Sequence, residues 1–461
     1  MPTLSLHNPA TGALITTVPA DDAASVAAKA AAARAAQPPW AATPIAQRLE
    51  AIGRFRAAVV AQLETLAADL TAETGKPITL ARNELNGLLP RLDFFVEEAE
   101  AAVRDEPVFD GGGMHETIGH IPLGVVLNIS AWNYPWFVGC NVIVPALLTG
   151  NAVLYKPSEY AVLTGRHITR LLHESGVPAE VMQCLVGGGE VGAAALAQRI
   201  DGVFFTGSHA TGVKIAQAVA HRMVKLQLEL GGKDPAYVRA DADLEHAAAN
   251  LVDGSYFNSG QSCCGIERIY VDRALYPAFV ERFTQLTCEY VLGNPLEEAT
   301  TLGPLVKPEA AEFVRGQIVE ALARGARALV DPHRFPRDAP GSAYMAPQVL
   351  VDVDHGMAVM REESFGPVVG IMPVDSEPQA IALMNDSPYG LTASIWTRDV
   401  ERAAAIGDEI ATGTVFMNRC DYLDPALAWT GVKDTGRGAT LSRVGYETLT
   451  RPKSYHLRTQ T

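Results

Sequence analysis

Two adjacent thiols, Cys263 and Cys264, close the stretch Asn258-Ser259-Gly260-Gln261-Ser262-Cys263-Cys264. A glycine-containing turn precedes them, and residues 251–257 before it read as the end of a helix. About one helix and loop upstream stands Leu228-Glu229-Leu230-Gly231-Gly232-Lys233, a carboxylate at a strand end followed by two glycines. A thiolate that attacks a carbonyl and a carboxylate that activates water suffice to make a thioester and then hydrolyse it. Taken alone, either thiol fits the attacking role, and Glu229 also fits a surface residue paired with Lys225 or Lys233.

Other segments carry chemistry at strand ends. Asn133, in Ser130-Ala131-Trp132-Asn133-Tyr134-Pro135-Trp136, offers an amide suited to hold an oxyanion, or simply starts a turn before a proline-initiated helix. In Lys156-Pro157-Ser158-Glu159 a cation and a carboxylate follow a strand. A carboxylate there accepts from a ribose 2′-hydroxyl and repels a 2′-phosphate; the plain alternative is a solvated loop with a capping serine. Gly187-Gly188-Gly189-Glu190-Val191-Gly192 fits GxGxxG but lacks an acidic residue about 20 positions on, so it reads mainly as a strand-to-helix turn. In Phe205-Thr206-Gly207-Ser208-His209-Ala210-Thr211-Gly212, Gly207 permits close backbone approach to a pyrophosphate, Ser208 can donate to it, and Gly212 permits close helix packing. Glu362-Glu363-Ser364-Phe365-Gly366-Pro367 joins two acids to an aromatic ring and suits a ribose beside a flat heterocycle, or else a solvated acidic loop. The histidines and cysteines show no HExxH or CxxC spacing, so no metal site is expected.

The elements that position these residues follow from periodicity. Residues 21–36 read as an alanine-rich helix stopped by Pro38-Pro39. Thr43 is placed to cap a second helix reaching about residue 72, and a third spans 80–103. This helical part has no catalytic signature of its own. After Gly111-Gly112-Gly113, residues 115–121 read as an exposed ribbon. Strands at 124–129, 152–156, 181–186, 202–205 and 224–230 then alternate with helices. Such alternation predicts a parallel sheet covered on both faces, with ligands at the carboxyl ends of its strands. A second α/β unit follows Gly231-Gly232, with a helix opened by Asp241 or Asp243 and strands at 268–271, 328–330, 367–373, 393–396 and 413–416. Residues 453–457 are a possible tail strand.

A chain of 461 residues is too long for one core. With 48% hydrophobic and 19% charged residues the composition is that of a globular protein, and a net charge of −15 argues against nucleic acid and anionic membranes as partners. No apolar run is long enough for a transmembrane helix, the first residues do not form a secretory signal, and six cysteines are few. A reducing, cytoplasmic location is expected.

Taken together, the motifs resemble the aldehyde dehydrogenase superfamily, from Asn8-Pro9-Ala10-Thr11-Gly12 to the C-terminal strand. Its most specific parts are Trp132-Asn133, Lys156-Pro157-Ser158-Glu159, Phe205-Thr206-Gly207-Ser208, Glu229-Leu230-Gly231-Gly232-Lys233, Gly260-Gln261-Ser262-Cys263 and Glu363-Ser364-Phe365-Gly366-Pro367, in that order. The resemblance implies Cys263 as nucleophile, Glu229 as general base, and Asn133 with the Cys263 N–H as oxyanion donors. It implies NAD as cofactor, with NADP possible. Lys156 and Glu159 would meet the adenosine ribose, Trp132 and Ser208 the pyrophosphate, and Glu363 and Phe365 the nicotinamide ribose. Ser158, Phe205, Gly207, Gly212 and Leu230 complete the cofactor set. Tyr134, Val138, Ser262, Cys264, Leu423 and Trp429 would line the substrate pocket. No Arg or Lys is evidently placed there, apart from Arg419 nearby in sequence, so an uncharged medium-chain or aromatic aldehyde is favoured. A semialdehyde dehydrogenase, a CoA-acylating enzyme and an inactive binding homologue are the alternatives.

The implied fold is α/β, with two doubly wound parallel-sheet domains and a small oligomerisation ribbon. Residues 1–103 and 123–230 would form the NAD-binding domain, 231–432 the catalytic domain, and 104–122 with 446–461 the ribbon of a homodimer or homotetramer. Two segments depart from the family pattern: Ala161-Val162 replaces a Thr-Pro, and Trp429-Thr430-Gly431-Val432-Lys433-Asp434-Thr435-Gly436 replaces aromatic-Gly-Gly-x-Lys-x-Ser-Gly.

Overall fold

The structure, a computed structural model, describes residues 2–420 and 422–459; the last two residues of the expected ribbon segment, Gln460 and Thr461, lie outside the described residues. The runs of valine, leucine and phenylalanine between helices form strands buried on both faces. Val125–Ile129 is central in a six-stranded sheet, flanked by Ala152–Lys156 and Met182–Cys184 on one side and by Gly202–Thr206 and Lys225–Glu229 on the other. These five strands are parallel, and a short antiparallel strand, Gly436–Arg437, closes the edge. Chain order therefore reverses between Val125–Ile129 and Gly202–Thr206, and a crevice opens beyond their carboxyl ends.

A second sheet, of seven strands, is parallel except at one edge, Arg327–Ala328. Its centre includes Asp234–Val238 and Ile266–Asp272, the strands that follow the Gly231-Gly232 and Cys263-Cys264 segments. The fold is thus α/β with two doubly wound sheets, as the sequence implies. A third unit is an antiparallel ribbon of Glu106–Gly111, Met114–Pro122 and the tail strand Thr450–Arg458. The helix Ser442–Thr448 before the tail strand packs inward, and the Tyr446 hydroxyl donates to the Phe95 carbonyl. Among the described residues no helix is long and apolar enough to cross a membrane.

Local expectations are corrected in several places. The helix expected to stop at Pro38-Pro39 runs through both, Ala23–Ala42. An internal proline costs about 3 kcal/mol. Here the buried Trp40 indole donates to the Leu147 carbonyl (3.0 Å) and the Gln37 amide to the Gly150 carbonyl (3.0 Å), which offset part of that cost and anchor the helix beyond the prolines. The second helix breaks at Gln62 into Ile45–Ala61 and Leu63–Thr74, and Thr43 closes the helix before it instead of capping the one after. Asp243, not Asp241, caps Leu244–Tyr256, while Asp241 accepts from the Thr397 hydroxyl and the Arg398 N–H. The strands Asp234–Val238 and Gln348–Val351 are additions to the expected set.

One contact ties the helical N-terminal part to the first sheet. Glu73 is buried, and its carboxylate caps the helix Val162–Glu174, accepting the Leu163 N–H (2.7 Å), the Thr164 N–H (2.8 Å) and the Thr164 hydroxyl. Glu73→Ala strands three donors inside the protein. It is expected to lower the unfolding free energy by about 2–3 kcal/mol, read as an earlier denaturation midpoint; an unchanged midpoint would contradict the capping role.

Candidate active site

The segment before the two thiols is held in an unusual backbone. Asn258, Ser259 and Gly260 all have positive φ (52°, 58° and 74°), a region where each non-glycine residue costs on the order of 1–3 kcal/mol. Side-chain bonds compensate. The Asn258 carboxamide donates to the carbonyls of Gln261 (3.2 Å) and Asn133 (3.3 Å), and Ser259 donates to the Gly303 carbonyl (3.0 Å). The Gln261 side chain donates to the Asn258 carbonyl (3.2 Å) and accepts the Val306 N–H (2.9 Å). A Cβ on Gly260 would collide with the Gly366 carbonyl, so only glycine fits the bend. The result presents Cys263 partly exposed and buries Cys264, which lies 3.5 Å from the Ser262 hydroxyl. Among the described residues nothing accepts the Cys263 N–H, and the Asn133 amide, which donates to the Gln261 carbonyl (3.1 Å), belongs to the same loop cluster.

Glu229 ends the strand Lys225–Glu229 and is buried. The surface alternative is not what the structure holds: Lys225 donates to the carbonyls of Glu447 and Thr450, and Lys233 pairs with Glu267. The Glu229 carboxylate accepts from the Thr440 hydroxyl (2.5 Å) and the Gln227 amide (3.0 Å). Burial pushes its carboxyl up to about 7; those two hydrogen bonds and the Arg91 charge pull the other way. Thr440 lies four residues beyond the segment that departs from the family pattern and pairs back onto its start. There Trp429 and Thr440 exchange backbone bonds (2.8 and 2.9 Å) and Gly436 pairs with Glu229 itself. The Thr435 hydroxyl donates to the Gly231 carbonyl (2.9 Å), which fixes the turn after Glu229.

Gly231-Gly232 has a steric purpose. A Cβ on Gly231 would strike the Glu363 carboxylate, which accepts the Gly232 N–H at 3.0 Å. The Glu363-Ser364-Phe365 loop is itself held by Glu267, a residue sequence reasoning missed. Its carboxylate takes the N–H groups of Ser364 (2.8 Å) and Phe365 (2.9 Å), and buried Lys233 neutralises it. Trp132 meets Phe365 edge to face, with centroids 5.7 Å apart.

Three cavities meet here. The largest, about 1320 Å³, lies over the crevice of the first sheet and is lined by Trp132, Lys156, Ser158, Glu159, Phe205, Gly207 and Ser208. Lys156 is buried, with Glu159 at 3.7 Å, and Gly212 leaves room for Leu230, whose side chain a Cβ would meet at 2.6 Å. Gly189 and Gly192 of the GxGxxG turn line this cleft too, so the turn faces the ligand space as well as joining strand to helix. A buried ammonium beside a carboxylate, with a helix N terminus at Ser208, fits a dinucleotide. A second cavity, about 440 Å³, holds Asn133, Glu229, Leu230, Cys263, Glu363 and Phe365. Lys307, also missed, lines both. A third, about 290 Å³, continues from Glu229 and Cys263 and is lined by all six expected pocket residues: Tyr134, Val138, Ser262, Cys264, Leu423 and Trp429. It is also lined by Arg91, Phe137, Asn141 and Phe257, which the sequence did not single out. Arg419, whose direction the sequence left open, stacks on the Tyr422 ring at 3.6 Å and is not among the lining residues.

This α/β fold, with a thiol and a buried carboxylate between a dinucleotide-shaped cleft and a narrow tunnel, defines a cofactor-dependent oxidoreductase with a cysteine at its centre. The aldehyde dehydrogenase family model matches residues 2–455, and the chain belongs to that family. It is 34% identical to a 2-aminomuconic semialdehyde dehydrogenase of Danio rerio, over 97% of this chain and 93% of that one. It is 36% identical to betaine aldehyde dehydrogenase 1 of Rhizobium meliloti (strain 1021), over 93% and 88% of the two chains. Among solved structures, betaine aldehyde dehydrogenase from Staphylococcus aureus in complex with NAD+ superposes with a TM-score of 0.94, 28% identity, and coverage of 100% of this chain and 92% of that one. The chain is an NAD(P)-dependent aldehyde oxidoreductase.

Thr440→Val keeps the shape beside Glu229 and removes its hydroxyl donor. The ionised carboxylate then loses a charge-assisted bond, so the Glu229 midpoint is expected to move about 1–2 pH units more alkaline. The pH dependence of steady-state turnover checks this; identical profiles would contradict it.

Proposed function

We propose that the chain oxidises an aldehyde to its carboxylic acid with NAD, Cys263 attacking the carbonyl and Glu229 driving hydrolysis. The observation that carries the reading is the junction of two cavities at Thr206, Glu229, Leu230 and Cys263: one continues the dinucleotide cleft, the other is the tunnel. Lys156, Ser158 and Glu159 would hold the adenosine ribose, Trp132 and Ser208 the pyrophosphate, and Glu363 and Phe365 the nicotinamide ribose. NAD, when bound, supplies the hydride acceptor. Asn133 and the Cys263 N–H, which nothing among the described residues accepts, receive the oxyanion of the thiohemiacetal, each donor being worth roughly 3–4 kcal/mol in the transition state. Loss of hydride leaves a thioester on Cys263. Glu229, half ionised near neutrality, then takes a proton from water as it attacks that thioester.

The apolar and aromatic wall near the thiol suits an aldehyde on an apolar body. The expectation of an uncharged substrate drew on the absence of a nearby cation, and Arg91 bears on that point. For assembly, the exposed ribbon strand Glu106–Gly111 carries Val108 and Phe109 more than half exposed on an open edge, which supports a homodimer or homotetramer through the ribbon. Six free cysteines agree with a reducing, cytoplasmic setting.

Cys263→Ala is expected to abolish NADH formation on every aldehyde. Glu229→Gln is expected to keep a stoichiometric burst of NADH but lose steady turnover, without rescue by CoA. An unchanged steady rate in either variant sinks the assignment. In the native chain, steady turnover limited by hydrolysis is expected to rise with pH through about 7, because only the ionised carboxylate accepts the proton. A flat profile would exclude Glu229 as the base. With Glu159 in place, kcat/KM is expected to favour NAD over NADP, and a strong NADP preference would contradict the charge argument.

A further inference from the structure

Among the described residues, the tunnel wall holds a cation that no carboxylate pairs with. Arg91 projects from the helix Ile78–Val103 and is 4% exposed. One of its amino groups donates to the Asn141 side-chain oxygen (3.1 Å), and its guanidinium carbon sits 3.9 Å over the Phe137 ring. Among the described residues no carboxylate lies within ion-pair distance of it. A guanidinium offers five N–H donors, and a neutral amide oxygen uses one. Burial pulls the group down to about 10, so it remains charged at neutral pH.

The acids nearby are already engaged. Glu84, two helical turns earlier on the same face, pairs with buried Lys76 and accepts the Trp136 N–H (2.9 Å). Glu229 is bonded to Thr440 and Gln227, and its field reaches Arg91 without an ion pair forming between them. Buried charges are ordinarily paired, because desolvating a lone one costs several kcal/mol. Between Arg91 and the catalytic loop the wall is a ladder of parallel rings. Phe137 and Tyr134 stack at 6.1 Å and 8°, and Tyr134 and Phe257 at 6.3 Å and 7°.

Resting on the reading of Cys263 and Glu229 given above, we propose that Arg91 binds an anionic group at the far end of the substrate, which is an aldehyde acid with a short apolar spacer lying along the Phe137–Tyr134–Phe257 wall. A carboxylate matches the planar fork of a guanidinium and supplies the missing counterion. The expected apolar lining serves the spacer, and the charge belongs to the group beyond it.

The test is a set of three aldehydes matched in backbone length, 4-oxobutanoate, butanal and 3-(trimethylammonio)propanal, which place a carboxylate, a methyl group and a quaternary nitrogen at the same position. The expected result is a kcat/KM for 4-oxobutanoate about 100-fold above butanal, expressed mainly in KM, with the cationic aldehyde poorest. In Arg91→Gln the acid-to-neutral ratio is expected to collapse toward one, and in Arg91→Lys to be partly kept. A native preference for butanal or for the cationic aldehyde overturns the proposal. So does an Arg91→Gln variant that lowers both rates equally, which is what a purely structural arginine would do. If Arg91→Gln does not fold, the native panel still decides. Oxidation of butanal through Cys263 with no preference for the acid sinks this proposal alone, whereas oxidation that survives Cys263→Ala sinks the reading beneath it.

Discussion

The carboxamide of Asn258 reaches two carbonyl oxygens, its own turn's Gln261 and, from the other sheet's loop, Asn133. Those loops belong to different sheets, and nothing in the packing of either sheet alone would fix their spacing. The bonds also hold a backbone of three consecutive left-handed residues that would otherwise relax. Cys263, its N–H and the Asn133 amide share one frame because of them. Strain is stored where the proposed reaction would use a thiol and a backbone donor on the same side, and the neighbouring hydrogen bonds of Gln261 and Ser259 offset its cost.

Around that frame the charges are arranged by degree of compensation. Lys233 and Glu267 neutralise each other, which leaves Glu267 free to grip the backbone of Ser364 and Phe365. Lys76 and Glu84 do the same on the tunnel wall. Glu229 is only partly compensated, by two neutral donors, and this keeps its two protonation states close in energy. Arg91 is compensated least. Partial compensation is not confined to the tunnel, since Glu73 and Asp234 are also met only by neutral donors, but Glu229 and Arg91 are the partly compensated charges that line the cavity beside Cys263.

Much of this was legible in the chain. The strand-helix alternation after residue 123 follows from short β-branched runs, and the first sheet appears with its strands in place. The thiol, the carboxylate and Asn133 were named from motif order, and the structure gathers them. Arg91 was invisible because it lies in a helix with an ordinary polar-apolar pattern, 42 residues before Asn133, and only tertiary packing turns it inward. Glu267 looked like any charged residue at a strand start. Asp234–Val238 begins with aspartate and proline, poor strand formers, yet it sits mid-sheet because Asp234 finds Thr392 as a partner, through both its N–H (3.1 Å) and its hydroxyl (2.6 Å). Proline at 38 and 39 failed as a stop signal because Trp40 anchors the helix beyond it.

The dinucleotide cleft and the tunnel share only Thr206, Glu229, Leu230 and Cys263 at their meeting point, and their outer walls are built from different segments. The two ligands are therefore offered differently built walls that converge on one thiol. In the proposed reaction neither ligand would have to pass through the other's seat, so a reduced cofactor could depart while an acyl group stayed on Cys263, and the order of release would follow relative residence times.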